Sequence, residues 1–217
     1  MLTEARYNRP TDSLAAVLAK ASWPVLQAQL PNDAAKKAFW INLYNAFTIR
    51  LLRANPALYQ NRNSFFSGRQ IKIAGHSISL DDIEHGILRR NRSKWSMGYW
   101  GQWFPPAFTR QGQVDTLDFR IHFALNCGAK SCPPIAFYTP QLIDKQLQLA
   151  QKGFIEAYCT YDSAKNEVKV PKIFSWFRGD FGGKKGILRL LKQAGIVPAD
   201  KNAAISFLPY DWTLSLP

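Results

Sequence analysis

Apolar positions recur along this chain in two rhythms. Between Thr11 and Leu30, residues Leu14, Val17, Leu18 and Trp23 fall on one side of a helix, so the spacing predicts one amphipathic helix there. From Asp33 to about Arg53 the rhythm disappears. Ala38, Phe39, Trp40, Ile41, Leu43, Tyr44, Ala46, Phe47 and Ile49 leave almost no polar face. A helix that is apolar all round is a central, buried one. Asp33 is placed to cap it, and it should end ahead of Asn55-Pro56, since a residue before proline avoids helical geometry. Asn42 and Asn45 stand on one side of this helix. Buried amides need hydrogen-bond partners. They either tie a neighbouring loop to the core or border a functional pocket.

Further on, Ile71–Ser79 reads as a short hairpin turning at Gly75, with His76 exposed at the turn. Ser79 and Asp82 then have the spacing of a capping box, and Leu80, Ile83 and Ile87 form a buried stripe. His85 shares a helix face with Asp81, Asp82 and Arg89. Trp95–Phe108 is aromatic and rich in Gly and Pro, hence a loop. Phe119–Leu125 reads as a strand. Pro140 suits a first helical position with Thr139 as cap, so Gln141–Tyr158 is a predicted helix. Val168–Val170 reads as a strand, Ile187–Ala194 as a helix stopped by Gly195, and Ile205–Leu208 as a last strand. Helices and strands mix without regular alternation. The expectation is a single α+β domain over 1–217, with a central apolar helix, flanking helices and a small mixed or antiparallel sheet. Residues 1–30 form an N-terminal helical part and 182–217 a C-terminal helix and strand.

Composition narrows the class. Of 217 residues, 47% are hydrophobic, with 7 Trp and 14 Phe, which suits a folded core and not a disordered chain. The net charge is +13, from 28 basic and 15 acidic residues, with a cluster at Arg89–Lys94. Such a charge keeps a protein in solution, or draws it to an anionic partner. No zinc-finger spacing, phosphate-binding loop or RNA-binding signature points to nucleic acid. The polar N-terminus shows no signal peptide, and no membrane span is visible. As written, the chain reads as cytoplasmic; a trimmed export signal would make it periplasmic or secreted. Three cysteines do not make a disulfide scaffold.

The chemistry concentrates in Arg120–Pro134, RIHFALNCGAKSCPP, which holds His122, Cys127 and Cys132. On strand parity His122 and Cys127 point apart, and they meet only if the chain turns at Asn126-Cys127, which Gly128 favours. Four readings fit these residues. They are small buried packing groups, or a thiol nucleophile with an imidazole that activates it. They bind a metal, although the spacing is not a usual zinc pattern, or the two cysteines form a disulfide. No metal site and no cofactor is assigned.

Three blocks in order, KAFWINLYNAFTIRLL, SLDDIEHGILR and RIHFALNCGAKSCPP, resemble the family called domain of unknown function 547, and FSWFRGDF resembles a further block. The likeness runs from about Ala35 to Phe181. Bacterial members of that family are often exported, and plant members carry the domain after a coiled-coil segment, which implies an interaction role there. The family's recurring positions fall here on Trp40, Asn42, Tyr44 and Asn45, on Glu84, His85 and Arg89, and on His122 and Cys127. Plant members often carry serine where this chain has Cys132, which favours Cys127 and His85 for chemistry.

The resulting expectation is a cysteine-dependent hydrolase or acyltransferase acting on an amide or ester in a small-molecule or peptide substrate. Cys127 is the nucleophile and His85 or His122 the base. Glu84, Asn42 or Asn45 orients the imidazole, and backbone N–H groups near Gly128 hold an oxyanion. All three histidines precede all three cysteines, so the order is permuted relative to papain-like enzymes, which geometry allows. The alternative is a binding module that uses its basic surface and the Trp95–Trp103 loop, or a metal-binding protein.

Overall fold

The long apolar helix organises the computed structural model, which describes residues 1–102 and 104–217. Three short helices precede it, α1 (Leu2–Arg6), α2 (Asp12–Lys20) and α3 (Trp23–Ala28). The single helix expected over Thr11–Leu30 is therefore broken. Pro24 has no N–H to offer Lys20, and its ring would clash with that carbonyl, so the chain bends at Ala21-Ser22. Leu14 and Val17 end up exposed and Leu18 packs against the core.

Helix α4 (Asp33–Ala54) is buried along its length as predicted, with Trp40, Ile41, Ala46 and Leu52 fully enclosed. Its cap lies one residue earlier than expected. Asn32 accepts from Ala35 N–H at 3.0 Å, and Asp33 instead accepts from Thr116 N–H at 2.9 Å. The amides of α4 act as ties. Asn42 donates to Tyr138 O (2.7 Å) and accepts from Tyr138 N–H (3.0 Å). Asn45 donates to Ala124 O (3.0 Å) and accepts from Asn126 N–H (2.8 Å). Among the described residues their hydrogen-bond partners are all backbone, which is the loop-tying role, and neither amide is hydrogen-bonded to an imidazole as an orienting group would be.

After α5 (Arg62–Ser67), strands β1 (Ile71–Ile73) and β2 (His76–Ile78) pair antiparallel about Gly75, whose φ of +78° suits glycine. Helix α6 (Ala107–Gly112) follows the aromatic loop. Phe119–Phe123 is then a 3₁₀ turn and not the predicted strand. Asp118 accepts from the Arg120 N–H at 3.1 Å and is held by Lys37 and by the Arg120 side chain, which starts a tight turn. The strand parity expected of His122 and Cys127 therefore does not apply.

A second core gathers around α7 (Ile143–Tyr158), which starts two residues later than predicted, and around a three-stranded mixed sheet. Strands β3 (Thr160–Asp162) and β4 (Glu167–Val170) are antiparallel; β4 and β5 (Ala204–Phe207) are parallel. Helices α8 (Ile173–Trp176) and α9 (Gly183–Gln193) pack there, and Gly195 (φ +73°) ends α9's last turn. The C-terminal segment returns to the first core, where Lys130 N–H donates to Thr213 O (2.9 Å) and Ser215 N–H to Gly128 O (2.8 Å). The fold is α+β, as expected. Among the described residues, no helix is long and apolar enough to cross a membrane.

Candidate functional site

The polar residues of SLDDIEHGILR are aimed by how that segment winds. Ser79 Oγ accepts from Asp82 N–H at 3.0 Å, and Asp82 Oδ2 accepts from Ser79 N–H at 2.9 Å, the reciprocal pair that the spacing predicts. Beyond the cap the helix widens. The Arg89 and Asn91 N–H groups reach back five residues, to Glu84 O and Gly86 O, at 2.8 and 2.9 Å. Such π turns often mark functional sites.

Arg89 belongs to the predicted basic cluster, yet it is fully buried. Its Nε and Nη2 donate to the two oxygens of Asp180 at 2.6 and 3.2 Å. Its Nη1 donates to His85 Nδ1 at 2.8 Å, and its guanidinium carbon stands 4.6 Å from the Phe177 ring centre. Arginine has donors only, so His85 Nδ1 is unprotonated and Nε2 carries the hydrogen, 3.6 Å from Asp81 Oδ1. Burial, followed by the charges of Arg89 and Lys94, holds the His85 pKa well below its usual value.

Asp180 also binds His122. His122 Nε2 lies 2.8 Å from Asp180 Oδ2, and the imidazole stacks on Phe177 with ring centres 3.9 Å apart. Burial pushes the Asp180 carboxyl up, but the hydrogen bonds from His122 and Arg89 outweigh it and hold the pKa below the usual value. The carboxylate is thus ionised and accepts the Nε2 proton. Burial holds His122 below its usual value too, only partly offset by Asp180, so the ring is neutral with its lone pair on Nδ1. Asp180 is seated by a close backbone approach. A Cβ on Gly179 would lie 2.5 Å from Gly98 C and 2.7 Å from Tyr99 N, so this crossing needs glycine.

The cysteines sit at the turn after the 3₁₀ segment. Asn126 donates to Pro133 O (2.7 Å) and accepts from Gly128 N–H (2.9 Å), which closes the loop with Gly128 at φ +86°. Cys127 and Cys132 are joined as a disulfide with Cα atoms 6.3 Å apart, and the Tyr210 hydroxyl touches both sulfurs at 3.3 and 3.2 Å. Cys159 is a separate buried thiol. Among the described residues, no imidazole is hydrogen-bonded to either sulfur of the pair.

These groups share one cavity of about 350 Å³. It opens where the two cores meet, a usual location for a ligand site. Tyr44, Asp81, Glu84, His85, Lys94 and His122 line it together with Cys127 and Cys132, and Trp95, Trp176, Phe177, Tyr210 and Trp212 give it an aromatic lining. Glu84 is pushed up to about 7, chiefly by burial, with Asp81 adding to the rise and Arg89 and the facing Tyr44 hydroxyl opposing it. Asp81 is raised by burial too, though Lys94 offsets part of this from 2.7 Å.

Of the residues singled out from sequence, Tyr44, Glu84, His85, His122, Cys127 and Cys132 thus line one cavity, with Arg89 directly behind it. Trp40 does not; it packs against Phe39 and Phe108 in the first core. His76 is exposed, as expected, and its ring lies against Phe108. Trp103 lies outside the described residues. Asp180 and Tyr210 escaped the sequence reading. Among the described residues, no group of His, Cys, Asp and Glu is arranged to hold a metal ion.

A family model matches residues 28–155, more than half of the chain. The chain belongs to that family, described as "Protein of unknown function, DUF547". Comparison with curated proteins and with solved structures gave no match. The segment matched to DUF547 contains Arg89, His85, His122 and both cavity cysteines. Tyr210, Trp176 and Phe177 lie beyond it, as does Asp180 behind His122, so this DUF547 protein completes its cavity with residues from its C-terminal third.

Proposed function

We propose that the cavity is the active site of a thiol hydrolase or acyltransferase acting on an amide or ester, with the dithiol form of Cys127 and Cys132 as the competent state. The observation that carries this reading is the buried His122–Asp180 pair, held at 2.8 Å, whose imidazole lines the same cavity as Cys127. Asp180 fixes the tautomer of His122 and leaves the Nδ1 lone pair for a thiol proton. His122 serves better than His85 as the base, because the His85 Nδ1 lone pair is already taken by Arg89. The Cys127 thiolate attacks the carbonyl carbon, the leaving group departs with a proton returned by the imidazolium, and water or an acceptor releases the acyl group. The N–H groups following Cys127 are candidates to receive the oxyanion.

The test is alkylation of the reduced protein with iodoacetamide from pH 5 to 9, with labelled sites mapped by mass spectrometry. Cys127 is expected to react well below the ordinary thiol pKa of about 8.5, and His122→Gln is expected to return it to ordinary behaviour. A panel of p-nitrophenyl esters then reports turnover, lost in Cys127→Ser. Labelling of Cys127 only after unfolding would overturn the reading and leave the cavity as a binding site without thiol chemistry.

A further inference from the structure

We infer that Trp95, Met97, Tyr99, Trp100 and Phe104, with the arginines that flank them in sequence, form a docking surface for an anionic lipid bilayer. The inference stands apart from the thiol chemistry. Trp95 (79% exposed), Met97, Tyr99, Trp100 (77%) and Phe104 (93%) all lie within this short segment. Isolated exposed apolar residues are ordinary, but such a concentration marks an interaction surface.

The stretch from Asn91 to Gln102 is clasped, which fixes the backbone that carries Trp95, Met97, Tyr99 and Trp100. Asn91 and Gln102 close its base, Gln102 N–H donating to Asn91 O (2.7 Å) and Asn91 Nδ2 to Gln102 O (2.6 Å). Ser93 N–H donates to Trp100 O (2.9 Å), and the Ser96 hydroxyl accepts from Trp100 N–H (3.1 Å). Gly179 N–H donates to Met97 O (2.7 Å), which fixes the tip to the turn that carries Asp180. With these tips fixed in water, their apolar area remains available to an occupant.

Charge selects the occupant. Between Glu84 and Asp115 there is no acidic residue, and there are five basic ones. Arg89 is buried and Lys94 is paired with Asp81. Arg90 and Arg110 are exposed, and Arg92 is half-buried with its Nη1 on Tyr99 O. Tryptophan and tyrosine settle at the headgroup level of bilayers, and arginines that make no ion pair among the described residues, as with Arg90, Arg92 and Arg110, are drawn to anionic lipid. An acidic protein surface would use the arginines but gives the exposed tips no hydrocarbon to enter. Trp95 and Met97 also line the cavity, so docking sets the cavity beside the bilayer surface.

The experiment is co-sedimentation of the whole chain with sucrose-loaded vesicles. One set is phosphatidylcholine alone; the other contains about a third phosphatidylglycerol. Binding is expected to the anionic set only. It should weaken at least tenfold both in the double variant Trp100→Ser with Phe104→Ser and in Arg90→Glu with Arg110→Glu. None of these four residues lines the cavity, and unchanged circular dichroism will confirm that each variant is folded. Absence of sedimentation with anionic vesicles overturns the inference. So does binding that survives the aromatic substitutions, since that describes charge attraction any polyanion would satisfy.

Discussion

Asp180→Asn is expected to lower the unfolding free energy by about 3–5 kcal/mol, the usual cost of leaving one member of a buried ion pair without its partner. Arg89 and Asp180 are both removed from solvent, and the carboxylate takes two of the guanidinium's hydrogen bonds as well as the His122 proton. Asparagine keeps the shape and one acceptor. It removes the charge and offers N–H groups where Arg89 and His122 also present donors. The check is urea unfolding of the wild type and the variant, read as a shift in midpoint at constant slope. A second variant separates lost shape from a stranded charge. Arg89→Met in the Asp180→Asn background should recover a large part of the loss, because the uncompensated cation is gone. A single-variant loss below about 1 kcal/mol, the range of an exposed pair, would show that Arg89 reaches water.

This ion pair also marks the limit of what the amino-acid pattern discloses. Local rules succeeded where the physics is local. The Ser79–Asp82 box, the Gly75 hairpin and the enclosed α4 all follow from spacings of a few residues. The burial of Asn45 was legible too, Asn42 is half-buried, and the partners of both proved to be loop backbone. Asp180 was out of reach, since its partners stand 91 and 58 residues away and no periodicity links them. A signal did exist. Asp180 is the only acid in the aromatic run Phe174–Phe181, where an unpaired carboxylate would be costly.

Phe119–Leu125 shows the opposite failure. Its alternation fits a strand, but the capture of Asp118 by Lys37 and Arg120 winds it into a 3₁₀ turn. That carboxyl sits at about 2, because the two cations outweigh the effect of burial. The turn buries Ile121, His122 and Phe123 together, which a strand with one solvated face would not do, and it brings His122 to Phe177 and Asp180. A tertiary ion pair therefore overrode the local pattern at the place where the site is assembled.

Glu84→Gln is expected to stabilise the protein at neutral and alkaline pH by about 3 kcal/mol and to change little near pH 4. The folded carboxyl titrates at about 7 against an ordinary value of 4.5, chiefly because it is buried. Below the ordinary value both states hold the proton and neither is penalised. As pH rises from there towards 7, the unfolded chain releases its proton and the folded chain keeps it, so stability falls. Above 7 the full penalty of a buried carboxylate is present. Glutamine removes the ionisation and keeps an amide facing Tyr44. The measurement is urea unfolding of both proteins at several pH values from 4 to 8. A difference that stays constant with pH would mean that Glu84 titrates normally. The growing difference matters beyond stability, because an internal carboxyl that weakens the fold at neutral pH is retained at a cost that glutamine would remove. Glu84 holds its proton in part near pH 7 at the wall of the cavity, as a proton donor must. If the substituted protein is more stable at pH 8 and yet turns over ester more slowly, with Cys127 alkylation unchanged, the strain at Glu84 belongs to the chemistry and not to the fold.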